Sequence, residues 1–166
     1  MTLVAGATLA AATPAHAVRV GEAAPTFTLA TPGGEPIDLS RLRGSVVYVD
    51  FWASWCGPCR RSFPWLNAMH ERYRGQGLAI VGVGVDKRRV DAERFLRDVP
   101  ASFPVVFDPQ GTTPAAFDVK GMPSSYLIDR QGVVVAIEEG FRDGREADLE
   151  ARIRSLLTQQ RPPGER

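Results

Sequence analysis

Both cysteines of this 166-residue chain lie in one short motif, Trp55-Cys56-Gly57-Pro58-Cys59. An apolar run from Val46 to Trp52 precedes the motif, and a helical pattern continues after it to about Arg74. The unpaired N–H groups and the dipole at the start of a helix stabilise a thiolate on a cysteine placed there. Only a thiolate attacks a disulfide, so we predict a redox pair in which Cys56 is the reactive sulfur.

The two residues between the cysteines suit this role. We expect Gly57 to let the chain turn tightly. Pro58 fixes φ near the helical value at an early helical position, where its missing N–H costs nothing. The loop is therefore predicted to be pre-shaped for redox chemistry.

Two other interpretations of the cysteine pair stay open. A structural disulfide across so short a loop would contribute only about 2 kcal/mol by loop-closure entropy. A structural zinc site takes four ligands, and beyond the cysteines the chain offers only His16 and His70. We therefore favour a redox pair, and we expect no metal and no cofactor other than the Cys56–Cys59 disulfide.

Composition and charge predict one globular domain, whose partners must be inferred from its site rather than from its charge. The chain is 44% apolar, and its net charge of +1 gives no basis for binding nucleic acid. Residues 2–17 carry no charged side chain and end in the small-x-small pattern Ala15-His16-Ala17. We therefore predict a signal peptide over residues 1–17, a domain over 18–158 and a flexible tail over 159–166, in a protein exported to the periplasm or another extracytoplasmic space.

Apolar periodicity predicts alternating strands and helices, which is typical of an α/β fold. After a hairpin-like N-terminal segment from Val20 to Leu39, the expected strands and helices are as follows: strands Val46–Trp52, Leu78–Val85, Pro104–Phe107, Ser124–Ile128 and Val133–Glu138; helices from Pro58 or Cys59 to about Arg74, around Ala92–Val99, and around Thr113–Phe117. Asp143 followed by Glu146 indicates the start of a last helix with Leu149, Ile153, Leu156 and Leu157 on its apolar face.

The active-site segment resembles that of the thioredoxin superfamily. The stretch VDFWASWCGPC matches the superfamily's redox segment, and Pro64 matches its helix-kinking proline. Gly121-Met122-Pro123-Ser124-Ser125, before a strand, resembles the loop that carries the superfamily's cis-proline. The resemblance implies that Pro123 is cis and faces the cysteines.

The N-terminal hairpin and the extra helix and strand between Cys59 and Pro123 resemble the TlpA, ResA and DsbE group of thiol-disulfide oxidoreductases. The resemblance covers roughly residues 20–157. It implies a thioredoxin-like α/β fold with a central mixed sheet flanked by helices, an N-terminal β-hairpin extension and a central helix-strand insertion. Members of the group often have Asn where this chain has Asp50.

The resemblance also implies roles for individual residues. Cys56 attacks the partner's disulfide, Cys59 resolves the mixed disulfide, and Asp50 takes the proton of Cys59. A pKa raised by desolvation would suit Asp50 to that role. Trp55 either shields the disulfide and docks a partner or simply packs on the surface. Met122 and Pro123 are expected to offer backbone groups to an extended partner segment.

The partners implied are protein disulfide or dithiol clients, including apocytochrome c and copper-site assembly proteins. The enzyme is expected to be a monomer recharged by a membrane electron carrier of the DsbD or CcdA type. Two other functional classes fit the sequence less well. A thiol peroxidase would carry Pro-x-x-x-Thr-x-x-Cys, but Val49 and Ala53 occupy the Pro and Thr positions. A non-catalytic adaptor or metallochaperone is disfavoured because both cysteines are present without clustered His or Met ligands.

Overall fold

A computed structural model describes residues 17–159 of the chain. The predicted signal peptide lies outside the described residues except for Ala17, and so does the predicted tail except for Gln159. Within residues 17–159, no helix is both long enough and apolar enough to cross a bilayer.

The secondary structure follows the predicted order. The strands are β1 (Thr28–Ala30), β2 (Pro36–Asp38), β3 (Val46–Trp52), β4 (Leu78–Gly84), β5 (Val105–Phe107), β6 (Ser124–Ile128) and β7 (Val134–Glu139). The α-helices are α1 (Gly57–Tyr73), α2 (Arg89–Asp98), α3 (Thr112–Ala116) and α4 (Glu146–Thr158). Short 3₁₀ helices occupy Leu39–Leu42 and Arg74–Gln76.

Five strands form the central sheet, in the order β5-β4-β3-β6-β7. Strands β5, β4 and β3 run parallel, whereas β6 and β7 are antiparallel to their neighbours. Every residue of the middle strand β3 is buried, as expected for a strand covered on both faces. The predicted mixed sheet with a helix-strand insertion, here α2 and β5, is confirmed.

The N-terminal segment forms the predicted hairpin and also extends the sheet. Strand β1 pairs with β2, and the Phe27 ring packs against that of Phe117 with centroids 6.4 Å apart. Ahead of the hairpin, the N–H of Gly21 donates to the carbonyl of Val134 at 2.8 Å. This added pairing along β7 was not predicted, and it protects an edge strand that would otherwise be open.

Helix α4 begins later than predicted. Asp143 does not cap it; the helix starts at Glu146, with Arg145 at the N-cap position and no side-chain capping bond. Gly144 has φ +87°, which takes the chain off the helical path between Asp143 and Glu146. The Glu146 carboxylate instead accepts a hydrogen bond from the N–H of Gly144 at 2.7 Å.

Candidate functional site

The two cysteines form a disulfide at the N-terminus of α1. Cys56 is the N-cap residue, and its Sγ accepts a hydrogen bond from the N–H of Cys59 at 3.2 Å. Cys56 is 3% exposed and Cys59 is fully buried. The outer position of Cys56 and the helix N–H directed at its sulfur are the features a nucleophilic thiolate needs.

The residues flanking Cys56 leave open space on the surface. Trp55 is 71% exposed, and its role in shielding the disulfide or docking a partner stays a prediction. Gly57 does not have a positive φ, and a Cβ added there would meet no atom within 4 Å. The conformation of Gly57 therefore does not itself require glycine. Gly57 is the first residue of α1, and Pro58 is the second.

Asp50 lies in β3, and its face of the sheet is assigned from its position along the strand. It is 2% exposed and pairs across the sheet with Gly82 of β4 and Ser125 of β6. Strand alternation places its side chain on the same face as those of Tyr48 and Trp52, which belong to the core cluster that contains both cysteines. The fold thus brings Asp50 into the layer between the sheet and α1.

Two β4 glycines make room in this layer. A Cβ on Gly82 would lie 3.3 Å from Trp52 Nε1, and one on Gly84 would lie 3.0 Å from the indole ring. The indole in turn packs on Phe63 and Phe95, with ring centroids 5.3 Å and 4.9 Å away. This aromatic packing excludes water from the region around Asp50.

Desolvation dominates the electrostatics of Asp50. Burial raises the pKa of its carboxyl to about 8, and its Oδ2 has no hydrogen-bond partner among the described residues. The pKa of Tyr48 is raised as well, first by burial and then by the charge of Asp50. The Tyr48 hydroxyl is hydrogen-bonded to Ser125 Oγ at 2.7 Å. At neutral pH the Asp50 carboxyl therefore holds its proton in the oxidised protein.

Replacing Asp50 by a residue that does not ionise is expected to stabilise the oxidised protein, relative to the wild type, as the pH rises. The unfolded chain releases this proton near pH 4, whereas the folded chain holds it until about pH 8, so native stability falls across that interval. Asp50→Asn should therefore match the wild type near pH 4 and exceed it by about 2 to 4 kcal/mol at pH 7. Urea unfolding at pH 4, 5.5 and 7 measures this difference.

Glu35→Gln is the matched control, because Glu35 is an exposed acid in the hairpin loop. It should show no such trend with pH. An Asp50→Asn advantage that is the same at pH 4 and pH 7 would contradict the raised pKa.

The peptide bond between Met122 and Pro123 is cis. Because Ser124 pairs with Phe51, Pro123 lies beside the end of β3 from which the redox loop departs. The Pro123 carbonyl already accepts a hydrogen bond from the N–H of Gly140 at 2.8 Å, and proline has no N–H. Pro123 therefore offers no N–H and its carbonyl already has one partner, and the pairing of Met122 and Pro123 with an extended partner segment stays a prediction.

One contact at the site was not predicted from the sequence. Asp86, two residues beyond β4, accepts hydrogen bonds from both the N–H and the hydroxyl of Ser54, at 2.9 Å and 2.6 Å. The position of Asp86 in the sequence could have indicated this contact, because an acid just after a parallel strand lies at the carboxyl edge of the sheet, where the redox loop also lies. Within residues 17–159, no group of three or more His, Cys, Asp or Glu side chains is arranged to hold a metal ion.

Known proteins resemble the chain over most of its length. A model of the Redoxin family matches residues 19–153. The thiol-disulfide oxidoreductase ResA of Bacillus subtilis is 34% identical over 125 residues, which cover 75% of this chain and 70% of the relative. The ResA protein of Geobacillus kaustophilus is 35% identical over 140 residues, which cover 84% of this chain and 79% of the relative.

The solved structures include a close match in fold. A Chlorobium tepidum protein assigned as thiol:disulfide interchange protein DsbE superposes with a TM-score of 0.82 and 49% sequence identity, covering 85% of this chain and 99% of the other. The chain therefore belongs to the Redoxin family of the thioredoxin superfamily, and it is a thiol-disulfide oxidoreductase of the ResA and DsbE type.

Proposed function

We propose that this oxidoreductase reduces disulfides of exported proteins, in the assembly of cytochrome c or of copper sites. The observation that carries the proposal is the Cys56–Cys59 pair at the N-terminus of α1, with Cys56 outermost and a buried acid on the same face of the sheet. The relatives named ResA and the neighbour named DsbE support the reaction class.

The proposed reaction exchanges one disulfide for another. The Cys56 thiolate attacks a client sulfur, so the client's S–S bond breaks and its second sulfur leaves as a thiolate that takes a proton from water. Cys59 then loses its proton and attacks Cys56 Sγ. The enzyme disulfide forms, the bond between Cys56 Sγ and the client sulfur breaks, and that sulfur leaves as a thiolate that takes a proton from water, so the client departs with both cysteines reduced.

Asp50 is proposed to carry the Cys59 proton in both directions. When a donor dithiol reduces the enzyme, Cys59 leaves as a thiolate and takes the proton that Asp50 holds in the oxidised state. When a client is reduced, the Asp50 carboxylate takes that proton back. A pKa of about 8 lies close to that of a thiol, so the transfer is nearly balanced in either direction.

Client docking is proposed to use the open surface around Cys56. Trp55 offers an exposed ring, and Met122 offers backbone groups that have no hydrogen-bond partner within residues 17–159. An extended client segment pairing with Met122 would lie across the disulfide. Recognition of this kind uses mainly backbone groups and selects weakly among side chains.

The cellular setting is proposed from the sequence and the relatives together. The uncharged N-terminal segment ending in Ala15-His16-Ala17 has the pattern of an export signal, and an exported redox enzyme works in an oxidising compartment. A reductant there needs a continuing supply of electrons. We propose a membrane dithiol carrier of the DsbD or CcdA type as the donor.

The reduction potential tests the direction of electron flow. We expect equilibration with glutathione or dithiothreitol to give a potential near that of thioredoxin, at about −270 mV. The purified chain from Val18 onward should also accelerate the reduction of insulin by dithiothreitol. A potential near that of DsbA, about −120 mV, would instead make the enzyme an oxidant.

A further inference from the structure

A buried carboxyl fastens the loop that carries the redox pair. Asp86 is 7% exposed, and its two oxygens accept two hydrogen bonds from one residue, Ser54, which stands two residues before Cys56. The loop between Ser54 and Cys56 is further tied by a bond from the N–H of Cys56 to the carbonyl of Ala53 at 3.1 Å. The contacts to Ser54 therefore connect the insertion after β4 to the position of the reactive sulfur.

The charge of Asp86 has no cation in contact with it. The neighbouring cations bond elsewhere: Lys87 Nζ donates to the carbonyl of Pro109 at 3.0 Å, and Arg88 pairs with Asp91 at 3.4 Å. Within residues 17–159, Asp86 forms no ion pair, so no paired cation offsets the electrostatic effect of its negative charge on the redox loop.

The other charges around Cys56 come from β3 and α1. Asp50 faces the layer from β3. It is neutral at pH 7 in the oxidised state, and in the reduced state the proposed transfer of its proton to Cys59 leaves a carboxylate that acts on Cys56 together with Asp86. Arg60, on the first turn of α1, pairs with Asp98 at 3.8 Å and lies over the Phe95 ring. Arg61 pairs with Asp143 at 3.7 Å. The two arginines are thus engaged by their own partners, whereas the helix N-terminus favours a Cys56 thiolate.

We propose that Asp86 is a positioning residue of the redox site, which fastens the loop through Ser54 and disfavours the Cys56 thiolate through its charge. A less stable thiolate makes the reduced enzyme less stable relative to the disulfide. The enzyme then gives up its electrons more readily. This inference rests on the reducing function proposed above, for which it supplies a physical cause.

Asp86→Asn is the direct test, because the amide keeps the shape and can still bond Ser54. The pKa of Cys56, measured from the pH dependence of iodoacetamide alkylation of the reduced protein, should fall by about 0.5 to 1 pH unit. The reduction equilibrium with glutathione should shift about three- to fivefold toward the reduced enzyme, which equals a rise in potential of about 15 to 20 mV.

Two control variants separate the effect of the Asp86 charge from the effect of its hydrogen bonds to Ser54. Ser54→Ala removes the hydroxyl bond but keeps the charge, so it should lower thermal stability and leave the potential unchanged. Glu71→Gln removes an equal charge about 22 Å along α1 from Cys56, and it should change neither quantity.

A folded Asp86→Asn protein with wild-type potential and wild-type Cys56 pKa would overturn the inference. If that variant does not fold, Asp86→Thr is a second uncharged variant that keeps one oxygen acceptor. If neither variant folds, the inference is overturned and Asp86 is a purely structural residue. A wild-type potential in the oxidant range would instead overturn the proposed reducing function, while the difference between variants still tests the role of Asp86.

Discussion

Replacing Cys59 with serine is expected to turn the enzyme into a trap for its clients. Cys56 can still attack a client disulfide, but no second thiol remains to break the mixed disulfide. Catalysed insulin reduction should fall to below about one-thousandth of the wild-type rate. The covalent adduct should accumulate, and it can be seen as a band on a non-reducing gel that disappears when dithiothreitol is added.

Cys56→Ser is the matched control for this trap. Cys59 is fully buried in the folded protein, so a Cys59 thiol without Cys56 has no access to a client. We expect no adduct and equally low turnover. Adduct formation on Cys56→Ser but not on Cys59→Ser would reverse the assignment of nucleophile and resolving thiol.

The same Cys59→Ser variant can identify the client proteins in the native host. Cys59→Ser protein expressed with its N-terminal segment should carry client proteins in mixed disulfides. Recovery of apocytochrome c or copper-site assembly proteins would support the proposed setting. Exclusive recovery of cytosolic proteins would contradict export.

The sequence predicts the buried strands better than the polar contacts of the site. The bounds of β3 and β6 match the predicted bounds to the residue, and β3 is a near-continuous apolar run, as expected for a strand covered on both faces. The start of α4 was missed, because the capping pattern of Asp143 and Glu146 does not reveal the left-handed conformation of Gly144 between them.

Contacts between loops are harder to predict from the sequence than the bounds of strands and helices. Ser54 and Asp86 are separated by α1 and β4 along the chain and meet only because β3 and β4 are parallel neighbours whose ends lie at one edge. The bond between Gly140 and the Pro123 carbonyl likewise depends on how β6 and β7 pair. Neither contact is accompanied by a recognisable pattern in the neighbouring sequence. The cysteine motif and Asp50, in contrast, are positioned by one apolar strand and the helix that follows it.

Replacing Asp50 with asparagine is expected to slow the resolving step and spare the first attack. The amide has the shape of the protonated carboxyl but cannot accept the Cys59 proton. The breakdown of the mixed disulfide at pH 7 should therefore fall by about 10- to 100-fold, the effect of losing a positioned general base. Cys56 lies at the N-terminus of α1, where the helix N–H groups stabilise a thiolate, so its own attack does not need Asp50.

The aromatic disulfide 5,5′-dithiobis(2-nitrobenzoate) separates the two steps, because each releases one coloured thiolate. The first release follows attack by Cys56, and the second follows resolution by Cys59. In the wild type the second phase should accelerate up to about pH 8 as Asp50 ionises, and Asp50→Asn should lose that dependence. Glu35→Gln should behave like the wild type in both phases. A second phase in Asp50→Asn with the wild-type rate at pH 7 would exclude Asp50 from the proton transfer, and its raised pKa would then reflect burial alone.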